Sequence, residues 1–467
     1  EHGSGGDLCG NARSAARALL EGRTVIRQFQ TVPARKGGDG KGQTMKKLFK
    51  TILCTTLALC LCSGFAACGG GEGEEVVIWC GETEKTLVES LVSDFKTANP
   101  DVEESIRVEV QDAWNAQNVV SKDPDAAADV ILVQNDHIGI LAQSGLLAEI
   151  RDGTSATFAS DIANNNHPST VSQAKYDGKM YGFPLTMDTY ILYYDRTIFP
   201  DNTEAQRELL TSVDAMLALE MANIPGTKEK ATAFGFNIGD GFYLNMGFFA
   251  MGCTLYGEDG TQAGVCDWNN ENGLKFMQYA CENFRQSGKK FKSDDAKNLA
   301  TQVLDHRMGA CISGGWEMQD TFKNAEHIGY TVLPSITVDG EEKRLVSFSN
   351  SKMYVVNNKS EHKATASRLA AYVTSEASQL KYAEERGYYP SNINAQSNST
   401  VADDPFFQTI KAQLELSVPV PVIPEISRYW EPAKALGSSV YNGSLAGDTA
   451  SIQAALDNFV NSLKSSI

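Results

Sequence analysis

Residues 129–150, DVILVQNDHIGILAQSGLLAEI, constrain the fold more than any other stretch of this chain. Val130, Ile131, Leu132 and Val133 form a continuous apolar run rich in β-branched residues, the composition of a strand buried on both faces of a parallel sheet. Gln134, Asn135, Asp136 and His137 follow at once. Ile138, Leu141 and Ala142 then recur at helical spacing, and Gly145 stands where a left-handed residue ends a helix. A strand that turns into a helix through a polar cluster puts that cluster at the carboxyl edge of a sheet, where ligands of open α/β sheets bind.

The flanking sequence repeats the alternation. Residues 76–79 read as a strand, and Leu87, Leu91, Phe95 and Ala98 as one helix face that Asn99-Pro100 ends. Ile106, Val108 and Val110 alternate with charged residues, giving a second strand. This order predicts a parallel α/β sheet built by right-handed crossovers. Further strands are expected at 190–194, 234–237, 308–312, 330–334 and 353–356, with helices at 211–221, 274–284 and 364–373. A chain of 467 residues exceeds one ordinary core, so two lobes are expected. Pro184 interrupts one apolar path and Gly387-Tyr388-Tyr389-Pro390-Ser391 another, and both read as crossings between lobes.

Residues 1–44 are rich in Gly and Arg and begin with Glu1, and they read as an extension outside the fold. Met45 reads as a start: Lys46, Lys47 and Lys50 precede the apolar residues 52–61, and Phe65-Ala66-Ala67 forms a small-residue cleavage site before Cys68. An uncleaved membrane helix is the competing reading, against which the run is short and broken by Thr, Cys and Ser. Residues 1–67 together hold ten basic and four acidic residues, which leaves the remainder at −23, against −17 for the whole chain. So acidic a body argues against nucleic acid as a partner. Residues 68–75, rich in Gly and Glu, read as a tether.

Ten cysteines are present. Beyond the leader and Cys68 they are Cys80, Cys253, Cys266, Cys281 and Cys311, an odd set with no C-x-x-C pair, which speaks against a zinc site or a dense disulfide framework. Cys253 and Cys266 flank a Gly-rich loop and read either as a pair or as buried thiols. No P-loop, Rossmann fingerprint, H-E-x-x-H or G-x-S-x-G occurs, so neither cofactor nor metal is expected.

What recurs is a carboxylate or an aromatic placed after a strand: Asp136, Asp188, Asp240 with Phe242 and Tyr243, Trp316, and Trp430. Sugars suit this combination, because their C–H faces stack on rings and their hydroxyls donate to carboxylates. Each residue also has a plainer reading. Asp136 can cap its helix, Asp240 can sit in a turn with Gly239 and Gly241, and Trp316, Trp430 and Trp79 can be core residues.

Phe-Ala-Ala-Cys resembles the lipobox of bacterial lipoproteins, which implies acylation at Cys68 and a membrane anchor. From Val76 onward the chain resembles the maltose/maltodextrin-binding proteins, members of the extracellular solute-binding proteins that feed ABC importers. The resemblance rests on residues 142–150 (AQSGLLAEI), 181–200, 312–316, 331–334, and Ile423-Pro424 with Trp430. It implies a type II periplasmic-binding-protein-like α/β fold: two lobes, 76–186 with 347–391 and 187–346 with 392–467, joined by three crossover segments around a cleft that closes on its ligand. It implies a monomeric, non-enzymatic receptor for a neutral oligosaccharide, anchored on the outer face of the membrane and partnered by ABC permease subunits. Asp136, Asp188, Asp240, Phe242, Tyr243, Trp316 and Trp430 then stand at ligand positions, with His137 and Glu82 as weaker candidates. Val133 stands where the family has a stacking Trp, His137 replaces an Arg, and Met318 a second Trp. The competing class is a surface glycosidase using two of the aspartates as acid and base.

Overall fold

The structure is a computed structural model and describes residues 74–152, 155–221, 231–288 and 290–464. The expected extension, signal peptide, Cys68 and nearly all of the tether lie outside the described residues. Among these residues, no helix is long and apolar enough to cross a membrane.

The first lobe is built on a five-stranded sheet in the order Ser105–Val110, Glu75–Cys80, Val130–Gln134, Lys352–Val356 and Gly182–Pro184. Its first three strands are parallel, with Val76 beside Ile106 and Ile78 beside Val130. Val130, Ile131, Leu132 and Val133 are all buried, as a continuous apolar run requires. Ser105–Val110 lies at the sheet edge and is only partly covered, which its alternating sequence fits. Helix Lys85–Ala98 buries Leu87, Val88, Leu91, Val92 and Phe95, and the Asn99 side chain donates to the Phe95 carbonyl at 2.8 Å where the helix stops. His137–Gln143 ends before Gly145, whose φ of +69° is the left-handed conformation expected of it. The sheet is mixed rather than wholly parallel. Lys352–Val356 runs antiparallel to Val130–Gln134 because it enters from the other lobe and not through a β–α–β crossover.

The second lobe carries Ser417–Pro419, Ser347–Asn350, Asp188–Asp195, Met308–Gly314, Thr232–Gly235 and Phe291–Lys292 in sheet order, with Ile328–Thr331 also paired to Asp188–Asp195. Met308–Gly314 is buried throughout. The largest core lies here, where the indole of Trp268 stacks between Phe248 and Phe459 at centroid distances of 3.9 and 5.0 Å. Cys253 and Cys266 are both buried free thiols, so no disulfide closes the loop between them.

The chain changes lobe three times: between Gly182–Pro184 and Asp188–Asp195, at Ser351, and after helix Glu376–Arg386, where Pro390 bridges to Thr186. The second of these differs from the sequence-based boundary at 347. Ser347–Asn350 pairs with Asp188–Asp195 and Ser417–Pro419, so it belongs to the second sheet. No Pro or Gly marks the turn at Ser351. Instead Asn135 holds it, accepting from the Ser351 amide at 3.1 Å and donating its own amide to the Ser351 carbonyl at 3.0 Å.

Candidate binding cleft

A cleft of about 610 Å³ runs between the lobes. Of the residues selected from the sequence as ligand contacts, Glu82, Asp136, Asp188, Asp240, Phe242, Tyr243, Trp316 and Trp430 line it. His137 does not. It is buried at the start of its helix, with Nε2 4.0 Å from an Asp136 oxygen and Nδ1 without a hydrogen-bond partner.

The three aspartates differ in what the fold has already asked of them. Asp136 occupies the N-cap position of helix His137–Gln143, yet its side chain makes no capping bond, which leaves the carboxylate for the cleft. Asp240 does cap helix Gly241–Ala250, accepting the Phe242 amide at 2.9 Å, and burial raises its pKa despite that bond. Asp188 opens the central strand of the second sheet and keeps part of its surface toward the cleft. Desolvation pushes its carboxyl up to about 7, against the opposing pull of Lys352 and of the Thr189 and Gly315 amides.

The aromatic surfaces come mainly from the second lobe. Phe242 and Trp430 are half-buried. Phe242 packs edge-on to Tyr190 at 5.2 Å, and Trp430 lies 5.1 Å from Tyr429 and 6.5 Å from Phe348. Tyr243 is almost wholly in the core, packed against Tyr190 at 4.9 Å. The Trp316 ring lies directly over Gly314, where an added Cβ would come within 2.1 Å of the indole. That glycine is therefore required by the close approach. Trp316 Nε1 donates to the buried Glu317 at 3.2 Å, which fixes the ring. Trp79, by contrast, is a core residue donating to Glu109 at 3.0 Å.

Sequence reasoning passed over several cleft residues. Asp112 and Trp114 follow strand Ser105–Val110 and line the first-lobe wall, with Trp114 68% exposed. The signal was available, since this too is a carboxylate and an aromatic after a strand. Val133, at the position expected from the resemblance to hold a stacking Trp, is buried in the sheet core, so the first lobe's exposed aromatic face comes from Trp114. Glu84, Lys352 and Tyr388 form a buried group on the cleft floor: Lys352 Nζ donates to Glu84 at 2.8 Å and to the Tyr388 hydroxyl at 2.7 Å, and Tyr388 donates to Glu84. Burial alone would raise the Glu84 pKa, but Lys352 and these hydrogen bonds outweigh it and hold the group ionised. No local motif announces this trio, because its members lie on three separate segments.

The cleft lining is strongly acidic, with Glu82, Glu84, Asp112, Asp136, Asp188, Asp240, Asp295, Glu317 and Asp320 against Lys297 and Lys352. Clusters of His and carboxylate at metal-ligand spacing, among the described residues, lie outside it. Residues 90–409 match the family described as bacterial extracellular solute-binding protein. The chain belongs to that family. Among the curated relatives of this solute-binding protein are a maltodextrin-binding protein of Bacillus subtilis (strain 168), 25% identical over 91% of this chain and 98% of its own, and a maltooligosaccharide ABC transporter solute-binding lipoprotein of Streptococcus pneumoniae (strain ATCC BAA-255 / R6), 23% identical over 86% and 93%. The fold matches the maltodextrin-binding protein of L. casei BL23 solved without ligand, with a TM-score of 0.72 at 22% identity, covering 84% of this chain and 100% of that one. It also matches the Streptococcus pneumoniae protein MalX in complex with maltopentaose, with a TM-score of 0.68 at 22% identity over 83% and 99%. As a solute-binding protein it works outside the cytoplasm, and its two-lobe architecture is the one those structures share.

Proposed function

We propose that this solute-binding protein captures a neutral oligosaccharide of the maltodextrin class between its lobes and delivers it to an ABC permease. One observation carries the reading: rings and carboxylates from both lobes line the same cleft, Trp114 with Asp136 on one side and Phe242, Trp316 and Trp430 with Asp188 and Asp240 on the other. Half-buried rings offer flat apolar faces to sugar C–H groups, and the surrounding carboxylates accept hydroxyl donors. The names of the relatives support the same ligand class. Asp136, whose carboxylate is not consumed by its helix cap, is assigned as the first-lobe hydroxyl acceptor. Titration calorimetry with maltose, maltotriose and longer maltodextrins should give saturable heat, and silence with every carbohydrate tried would end the sugar reading. No reducing ends should appear during incubation.

The mature protein is proposed to be a monomer held at the outer membrane face by acylated Cys68. Labelling with a fatty-acid analogue should mark the wild type and not Cys68→Ala, which should be released into the medium.

A further inference from the structure

We propose that Asp195, His306 and His327 form a binding site for one borderline divalent cation, Zn²⁺ foremost, at the end of the second lobe remote from the cleft. Asp188 lines the cleft at one end of strand Asp188–Asp195, and Asp195 ends it, roughly 20 Å away by the rise of a strand. Three elements meet there. His306 follows helix Ala296–Leu304, and His327 precedes strand Ile328–Thr331, whose Ile328 pairs with Asp195. One donor atom from each of the three side chains lies within 4.8 Å of the others. Two imidazoles and one carboxylate are the donor set that Zn²⁺ takes in many sites.

The surroundings prepare each ligand. Asp195 is fully buried. Its Oδ1 is held by the Thr197 amide at 2.8 Å and the Thr197 hydroxyl at 2.7 Å, while Oδ2 faces His306 Nδ1 at 2.6 Å. The Thr197 hydroxyl also lies 3.3 Å from that nitrogen. Arg196 does not neutralise Asp195, because its guanidinium is turned onto Asp201 and the carbonyls of Glu326 and Ile328. The two imidazoles lie 4.7 Å apart between ring centres. His327 Nε2 donates to the Leu304 carbonyl at 3.2 Å, which in the neutral ring leaves Nδ1 with its lone pair. A backbone acceptor on the far nitrogen is how metal-binding histidines are commonly oriented.

His306 supplies an independent sign. Its φ is +60°, in the left-handed region that costs a side chain with a Cβ of order 1 kcal/mol and that clusters at functional positions. Its side chain is 37% exposed, so a cation has a way in and water can complete the coordination. Metal–ligand bonds of about 2.0–2.2 Å place tetrahedral ligands roughly 3.4 Å apart, so the short His306–Asp195 contact opens by less than an ångström while the widest pair draws together.

The test is titration of the EDTA-dialysed full chain with ZnCl₂, with Co²⁺ absorption reporting nitrogen and oxygen ligation. One equivalent should bind and raise the Tm. His306→Gly and His327→Ala should each weaken Zn²⁺ binding by about tenfold or more. Glycine adopts φ of +60° freely, which offsets part of what the buried Asp195 loses with its imidazole partner, so His306→Gly should still fold, and its metal-free Tm serves as the baseline for the shift on adding Zn²⁺. Asp195→Asn, which keeps an acceptor for Thr197, should also lose affinity. Carbohydrate titrations should be unchanged in both His variants. No uptake by the wild type would overturn the proposal, as would undiminished affinity in both His variants, which would make the trio an ion pair with a neighbouring ring.

Discussion

At the scale of single residues, the cleft aspartates are separated by their surroundings more than by their chemistry. Asp188 sits among protein atoms with only Lys352 and two amides to favour its charge, and its carboxyl titrates near 7. A carboxyl raised on folding is stabilised in its protonated form. Its contribution to stability is complete below about pH 4 and is lost as pH rises through about 7. Asp188→Asn removes this dependence. Denaturant melts should show the variant gaining on the wild type from pH 5 to pH 8, by as much as a few kcal/mol. Equal pH dependence in the two proteins would show Asp188 to be well solvated. The aromatic residues carry a different expectation. Trp316→Ala and Trp430→Ala should each cost about 1–3 kcal/mol of carbohydrate affinity. Trp114, more exposed than either, should lose affinity in Trp114→Ala with no change in Tm. A Tm that falls while calorimetric affinity holds would return any of these rings to the core.

At the scale of elements, most of what the fold does was legible locally. The run Val130 to Val133 announced a strand buried on both faces, and the spacing of Leu87, Leu91 and Phe95 announced the face of helix Lys85–Ala98. The residues following strand ends announced the cleft, Trp114 included, although that one was passed over. What stayed illegible was carried by contacts between distant segments. The turn at Ser351 depends on Asn135, and nothing in Asn350-Ser351-Lys352 itself predicts a change of lobe. The Glu84–Lys352–Tyr388 group likewise exists only once three segments have met. Lys352 opens the strand that follows that turn, and burial works against its charge, but Tyr388 and Glu84 prevail and hold its pKa above the ordinary lysine value. Lys352→Met removes the cation bonded to the buried Glu84 and should cost about 3–5 kcal/mol in urea unfolding. Adding Glu84→Gln should recover part of the loss, and a double variant no more stable than the single one would exclude the ion pair as the cause.

At the scale of the whole molecule, two lobes joined by three short crossings have a hinge built into their connectivity, and the contacts beside it decide where the lobes rest. Asn135 is central, since the side chain that holds Ser351 also donates across to the Val420 carbonyl of the second lobe at 3.0 Å. Arg386 reaches Asp320 at 2.9 Å from the first lobe to the second. A close approach also occurs where helix His137–Gln143 meets the segment around Val422: a Cβ at Gly139 would fall 1.8 Å from the Val422 carbonyl oxygen. No rearrangement of a side chain relieves a clash with backbone, so Gly139→Ala must move the lobes apart at that point or strain the helix. Small-angle scattering should give the ligand-free variant a larger radius of gyration than the wild type. Wild-type protein should contract when a saturating maltodextrin is added, and the variant should bind about tenfold more weakly, because about 1.4 kcal/mol of the ligand's interaction is then spent on closure. Matching profiles and affinities would mean that the two lobes do not bear on each other through Gly139, and that contacts such as those of Asn135 and the Arg386–Asp320 pair set the hinge instead.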